Sequence, residues 1–443
     1  MENQYRRIIR QKIVDSLAEP PSKLTLRDIW VPVVPNKAVA VIGMRRTGKT
    51  SLLRRLLADR LAGGTPREGL LYFSFEDERL AGLTAGDLDL LLEEYYRLYP
   101  DWRDQRRATF FLDEIQLVPG WEMFARRLLD SEQIDLFLSG SSARMLSREV
   151  ASSMRGRAME AVVLPFSYRE SLRHTGTEPD NPVEHLTKAE QSTLDHSLLR
   201  YLEHGGFPES QGLDLRTRAS LLSGYVDAVL LRDVVERHGV SQPIVLRWLV
   251  RQLLANAAGT FSVNKFHADL KSQGVAIGKD TLHTYLGYLE DAFLLYSVDI
   301  ATGSERRRQV NPRKVYPVDP GLIPIFDRSG KANTGHALET VVFLELIRQG
   351  AEVRYVRTAS SFEVDFHARH IDGNEELLQV SADIDRPETL VREVRALMEA
   401  SSEFPAAQLR LLTLAVPASA ELPEKIEVEN VRDWLLKKSS GQR

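Results

Sequence analysis

Hydrophobic and polar positions fall into four successive patterns along the chain. Residues 1–30 read as a helix followed by a polar, proline-containing connector. From residue 36 to 170, short apolar runs (AVAVIG, LLYFSF, ATFFLDE, IDLFLSG, AVVLPF) alternate with helical stretches such as SLLRRLLADRLA. Strand-length apolar runs separated by helices predict a parallel sheet covered on both faces. Residues 171–240 read as helical apart from the GGFPE turn at Gly205–Glu209. Three further helical patterns follow within 241–328, then a basic loop between two short strands. In the third of these helices Leu282, Leu286 and Leu289 share one face, and Lys279, His283, Thr284 and Tyr288 occupy the other. Beyond RSGKANTG a helix–strand–strand–helix pattern begins. The expected divisions are therefore 1–170, 171–240, 241–328 and 329–443.

Composition narrows the class. Of 443 residues, 43% are hydrophobic and 27% charged, as expected of a globular chain rather than a disordered or fibrous one. No apolar run approaches the roughly 20 residues needed to cross a bilayer, so no membrane partner is expected. MENQYRRIIRQK has no apolar core of the signal-peptide kind. The absence of cysteine excludes disulfides, a thiol nucleophile and cysteine-ligated zinc, and it fits the reducing cytoplasm expected for this chain. With 58 basic and 62 acidic side chains the net charge is −4, so any attraction to nucleic acid has to be local.

The candidate chemistry begins at GMRRTGKT, Gly43 to Thr50, which fits GxxxxGK[ST] and stands between an apolar strand and a helix. Glycines let such a loop curl until its N–H groups point at phosphate oxygens, assisted by the helix N-terminus. The expected nucleotide-binding residues are Gly43, Arg45, Arg46, Thr47, Gly48, Lys49, Thr50 and Ser51, with Lys49 reaching the β- and γ-phosphates of ATP. The Thr50 hydroxyl and Asp113, delivered by the strand ATFFLD, are expected to hold Mg²⁺. Glu114 beside it is positioned to orient and polarise the attacking water. IDLFLSGSS ends another strand in hydroxyls, of which Ser141 is a candidate γ-phosphate sensor. MRGR supplies Arg155 and Arg157, either of which is a candidate to stabilise the phosphoryl group at a neighbouring subunit's site.

GMRRTGKT, FLDEIQLVPGWEMFARRLLD, SGSSARM, MRGR, LPFSYRE, GGFPES and LLRDVVER together resemble the prokaryotic AAA-superfamily (AAA+) ATPases that carry a C-terminal domain of unknown function. FSVNKFHADLKSQG, RKVYPVDPGL, HALETVVFLEL and EVDF extend the resemblance over nearly the whole chain. It implies an α/β P-loop core, a helical lid, a winged helix and a nuclease-like terminal domain. It also implies a ring, expected to be a homo-hexamer, with Arg157 or Arg155 acting in trans and Arg232 as a lid arginine. The pattern from 241 to 328 reads as a winged helix-turn-helix whose DNA contacts would be Lys279, His283, Arg306, Arg307, Arg308, Arg313 and Lys314. The terminal segment resembles the PD-(D/E)xK nuclease fold, with Glu339 on a helix, Asp365 on a strand and Gln379 on the next. Ser381 stands where that pattern has its lysine, so lost nuclease chemistry is expected. The functional expectation is an ATP-driven ring motor acting on duplex or branched DNA, for example in Holliday-junction branch migration. The alternative is a nucleotide-dependent switch that binds DNA or a protein without travelling.

Overall fold

The computed structural model describes the chain except for residues 1, 21–23, 141–153, 155, 305, 307, 309–310, 328–332, 385, 417–421 and 438–443. The described chain divides into two compact units: Met1–Leu164 with Asp291–Phe293, and Pro165–Glu290 with Leu294–Arg443.

In the first unit, helix α1 (Glu2–Ala18) precedes a parallel sheet of β1 (Ala38–Ile42), β2 (Leu70–Ser74), β3 (Ala108–Asp113), β4 (Ile134–Gly140) and β5 (Ala158–Val162). The strand order is β2-β3-β4-β1-β5, and every pairing is parallel. Helices α2 (Lys49–Ala62), α3 (Asp89–Leu98) and α4 (Trp121–Ser131) are the crossovers. All five residues of β1 and all six of β3 are buried, because a parallel sheet is covered on both faces. One face packs Val39, Val41, Phe111 and Phe137 under Leu52, Leu53 and Leu57 of α2. The consequence for the site is positional. β4 lies between β1 and β3, so the loop after β1 and the acidic end of β3 flank the end of β4, the usual ligand edge of such sheets.

The second unit begins with α5 (Tyr168–Thr175), α6 (Lys188–His204) and α7 (Leu215–Ala228). Reciprocal caps start the first two: Ser167 Oγ accepts from the Glu170 N–H while Glu170 returns to the Ser167 N–H, and Thr187 pairs likewise with Glu190. A π-helical stretch, Val229–Glu236, continues α7 and leaves Arg232 exposed. Next come α8 (Pro243–Ala255), β6 (Thr260–Phe261), α9 (Val263–Ser272), α10 (Lys279–Asp291), β7 (Leu295–Val298) and β8 (Arg313–Pro317), the strands forming an antiparallel sheet in the order β6-β8-β7.

The terminal segment holds α11 (Thr334–Arg348), β9 (Glu352–Arg357), β10 (Glu363–Arg369), β11 (Glu375–Ser381), α12 (Pro387–Glu403), β12 (Gln408–Thr413), β13 (Ile426–Asn430) and α13 (Val431–Leu436). Their sheet runs β13-β12-β11-β10-β9. The expected helix–strand–strand–helix pattern is therefore incomplete: β9, β12 and β13 add to it. β9 (EVRYVR) and β13 (IEVEN) are the sheet's edges, where half-exposed charged positions dilute the apolar signal. No helix among the described residues is long and apolar enough to cross a membrane.

Candidate functional site

The loop after β1 owes its shape to backbone freedom at two glycines. Gly43 has φ 149° and Gly48 φ 100°, and a Cβ on Gly43 would lie 2.3 Å from the Val163 carbonyl oxygen of the next-door strand end. Gly48 caps α2, so the helix N-terminus opens directly onto the loop. Lys49 is buried, and its Nζ donates to the carbonyls of Gly43 (3.1 Å) and Met44 (2.9 Å). Thr47 turns inward: its Oγ1 donates to Met44 O (3.0 Å), so its hydroxyl is spent within the loop. Arg45 is half-buried, while Arg46 (φ 67°), Thr50 and Ser51 are exposed.

Asp113 is the hub of the site. Its Oδ2 accepts from Thr50 Oγ1 (2.8 Å) and from the Tyr72 hydroxyl (2.7 Å), and its Oδ1 accepts from Ser139 Oγ. Ser139 is fully buried, and its Oγ also accepts from the Glu114 N–H (3.1 Å). Thus one serine at the end of β4 fixes both members of the acidic pair. Glu114 adopts a left-handed conformation (φ 54°), uncommon for a side-chain-bearing residue and costing on the order of 1 kcal/mol. Its carboxyl accepts from Gln116 Nε2. Burial pushes the Glu114 pKa up, with Lys49 and Gln116 opposing the rise. A carboxylate so placed is more basic than one in water. Burial and Asp113 likewise raise the Tyr72 hydroxyl, which therefore stays a donor.

The Thr50 hydroxyl and Asp113 carboxylate form a pair of hard oxygen donors at the mouth of a glycine-bent loop. That donor chemistry fits Mg²⁺. Tyr72 and Arg27 were not singled out by the sequence pattern, and Ser139 was expected only as one of the strand-end hydroxyls beside the γ-phosphate, not as a partner of Asp113. Arg27 clamps the loop by donating to Thr47 O (3.1 Å) and Leu164 O (2.6 Å). Parallel register was the missing signal: Ser74 is opposite Asp113, and Ser139 is opposite Val41.

Other expected residues are not gathered here. Ser141, Arg155 and Arg307 lie outside the described residues. Arg157 is ion-paired with Asp130 of its own chain. Of the basic residues expected to meet DNA, Lys279, His283 and Arg306 are exposed. Arg308 donates to Thr302 O (3.1 Å), and Arg313 pairs with Asp299 (3.0 Å). Lys314 requires a correction. It is 2% exposed and held by carboxylates from the terminal segment, so its ammonium is not available to a phosphate backbone. The cause is that β8 is covered on both faces after its first residue, so strand alternation does not return Lys314 to solvent.

Residues 35–172 match the model of an AAA domain, and residues 195–330 that of a domain of unknown function (DUF8612). The uncharacterized protein MJ1544 of Methanocaldococcus jannaschii is 30% identical over 403 residues, covering 90% of this chain and 86% of that protein. An uncharacterized protein of Haemophilus influenzae is 30% identical over 397 residues, covering 89% of this chain and 93% of that one. Among solved structures, the Walker-type ATPase paby2304 of Pyrococcus abyssi aligns with 72% of this chain and 95% of its own, at 17% identity and a TM-score of 0.39.

Proposed function

This chain belongs to one family with the M. jannaschii and H. influenzae proteins and carries an AAA domain at residues 35–172, and from that premise we propose that it binds and hydrolyses ATP. The observation that carries the proposal is the contact of Thr50 with Asp113, 63 residues apart in sequence, beside the positive-φ Glu114. Lys49 would exchange its two loop carbonyls for phosphate oxygens, a trade of neutral acceptors for charged ones. Thr50 and Asp113 would hold Mg²⁺, which when bound neutralises charge on the phosphates. Glu114 would orient the attacking water and draw its proton toward a carboxylate made more basic by burial. Tyr72 and Ser139 hold the Asp113 carboxylate in its orientation.

The wider reading is an oligomeric ring that remodels duplex or branched DNA, with Arg157 or Arg155 completing a neighbour's site. It is supported by the order helix, strand, two helices, two strands from α8 to β8, which is that of a winged helix. The exposed Lys279, His283 and Arg306 on α10 and the loop before β8 would face phosphates. A nucleotide-gated switch is the second reading, favoured by the internal partners of Arg308, Arg313 and Lys314, which leave a smaller basic surface. Steady-state ATP hydrolysis measured without DNA and with duplex, single strand and a four-way junction, at two salt concentrations, separates them. Junction-selective stimulation that weakens with salt is expected of the motor. A slow rate indifferent to all DNA would replace it with the switch, and no hydrolysis at all would remove the ATPase reading.

A further inference from the structure

The nuclease-like pattern leaves a specific question: two carboxylates, Glu339 and Asp365, stand where that fold holds a divalent cation, and its lysine is missing at Ser381. The structure brings an ammonium to them from another element. Lys314 of β8 places Nζ 2.8 Å from Glu339 Oε1 and 2.9 Å from Asp365 Oδ1, and 2.8 Å from Glu363 Oε1 at the cluster's more exposed side. Two further donors reach the same pair of carboxylates. Glu339 Oε1 accepts a second bond from the Tyr316 hydroxyl (2.7 Å), and Asp365 Oδ2 accepts the Val380 N–H (3.0 Å). Gln379, the third position of the pattern, carries no charge, and its Oε1 accepts the Asp365 N–H (3.3 Å).

This donor set does not fit a divalent metal. Mg²⁺ demands near-octahedral oxygen ligands at about 2.1 Å and keeps several waters. Here the oxygens that would face it are bonded to an ammonium that is 2% exposed. A buried ammonium, in turn, is tolerated only where carboxylates and hydrogen bonds compensate it, which is what Glu339 and Asp365 provide.

We propose that Lys314 is the resident cation of this centre, seated where the nuclease fold holds its metal, and that it fastens strand β8 to α11 and β10 in place of catalysis. The inference stands apart from the ATPase reading, since none of its residues belongs to the nucleotide loop. It accounts for a lysine that is basic in the sequence yet absent from the basic surface. It also predicts that the carboxylates become a metal site once the ammonium is taken away.

The test uses the full chain without nucleotide and Mn²⁺ as the probe, read by thermal unfolding and calorimetric titration. For the unmodified protein, Mn²⁺ is expected to give the same small response as for Glu339→Gln. Lys314→Ala is expected to unfold at lower temperature and to regain several degrees on adding Mn²⁺, a recovery absent from the Lys314→Ala, Glu339→Gln double variant. Two binding results would overturn the proposal. One is Mn²⁺ binding by the unmodified protein that Glu339→Gln abolishes, which would show a metal displacing the ammonium. The other is a folded Lys314→Ala that gains no response to Mn²⁺. Should Lys314→Ala not fold, the titration of the unmodified protein against Glu339→Gln decides alone. Plasmid nicking by the unmodified protein with Mn²⁺, lost in Asp365→Asn, would equally count against it.

Discussion

Asp113 shows how much a single carboxylate depends on hydroxyls that lie far away in sequence. Three of them converge on it, from α2, β2 and β4, and the β4 serine also accepts the Glu114 N–H. Ser139→Ala should strand that half-buried N–H and remove one donor, costing about 1–3 kcal/mol of stability. Chemical denaturation would measure the loss; an unchanged midpoint would mean the bonds contribute nothing net. Tyr72→Phe removes a donor without orphaning any protein group, so its cost should be smaller. For the proposed chemistry, Glu114→Gln should leave nucleotide affinity within a few-fold while slowing single-turnover hydrolysis by roughly 10²–10⁴. Lys49→Ala should instead lose nucleotide binding itself, measured by fluorescence of a labelled analogue. Normal turnover by Glu114→Gln would show that another group handles the water.

At the scale of elements, the GGFPE turn and the VDPGL segment act as one joint. Asp319 is fully buried, and its two oxygens accept the N–H groups of Gly206 (2.6 Å) and Gly321 (2.9 Å). Gly205 has φ 74°, and a Cβ there would fall 1.7 Å from Asp319 Oδ1, with no flexible end to yield. Gly205→Ala should therefore cost about 1–3 kcal/mol or more by overpacking. Burial pushes the Asp319 pKa up to about 7, although both N–H bonds oppose the rise. A folded-state value above the unfolded value of about 4 means the folded chain binds this proton more tightly. Its stabilising contribution is complete below pH ~4 and is lost as pH rises through about 7. Asp319→Asn should remove that sloping portion from a plot of urea midpoint against pH. It should also lower the whole curve, since a single amide oxygen replaces two acceptors. A slope that persists in Asp319→Asn would assign the titration to another group.

For the molecule as a whole, the proposed DNA surface is smaller than the count of basic residues between Arg306 and Lys314 implies. Only groups that reach phosphates release counterions, and each should contribute close to one to the slope of log affinity against log salt. Combined Lys279→Ala and Arg306→Ala substitution should lower the slope for duplex DNA by about 2, measured by fluorescence anisotropy at several salt concentrations. No change would place the DNA contact elsewhere or remove it. Assembly is tested separately. Sedimentation of Glu114→Gln with ATP should give a mass several times that of one chain if a neighbour's arginine completes the site, and Arg157 would then have to leave Asp130.

Much of the nucleotide loop was legible from local order alone. Glycine spacing, a strand before it and a helix after it are short-range facts, and so is the apolar run that ends in Asp113. Four of the five core strands were equally legible, because burial in a parallel sheet writes itself as continuous apolar sequence; β5 is a part-exposed edge strand that the run AVVLPF overlaps only at Ala161 and Val162. Tertiary structure decided what depends on register and on packing between distant segments. Tyr72 looks like an ordinary strand residue, and Ser139 like one of several strand-end hydroxyls, until pairing sets them around Asp113. The edge strands β9 and β13 hid because exposed edges tolerate charge. Lys314 is the clearest case: it follows the basic, partly exposed Arg313 in sequence, but its neighbours in space are carboxylates. Sequence determines which charge a residue carries, whereas only the fold determines whether that charge meets water, a ligand or a buried partner.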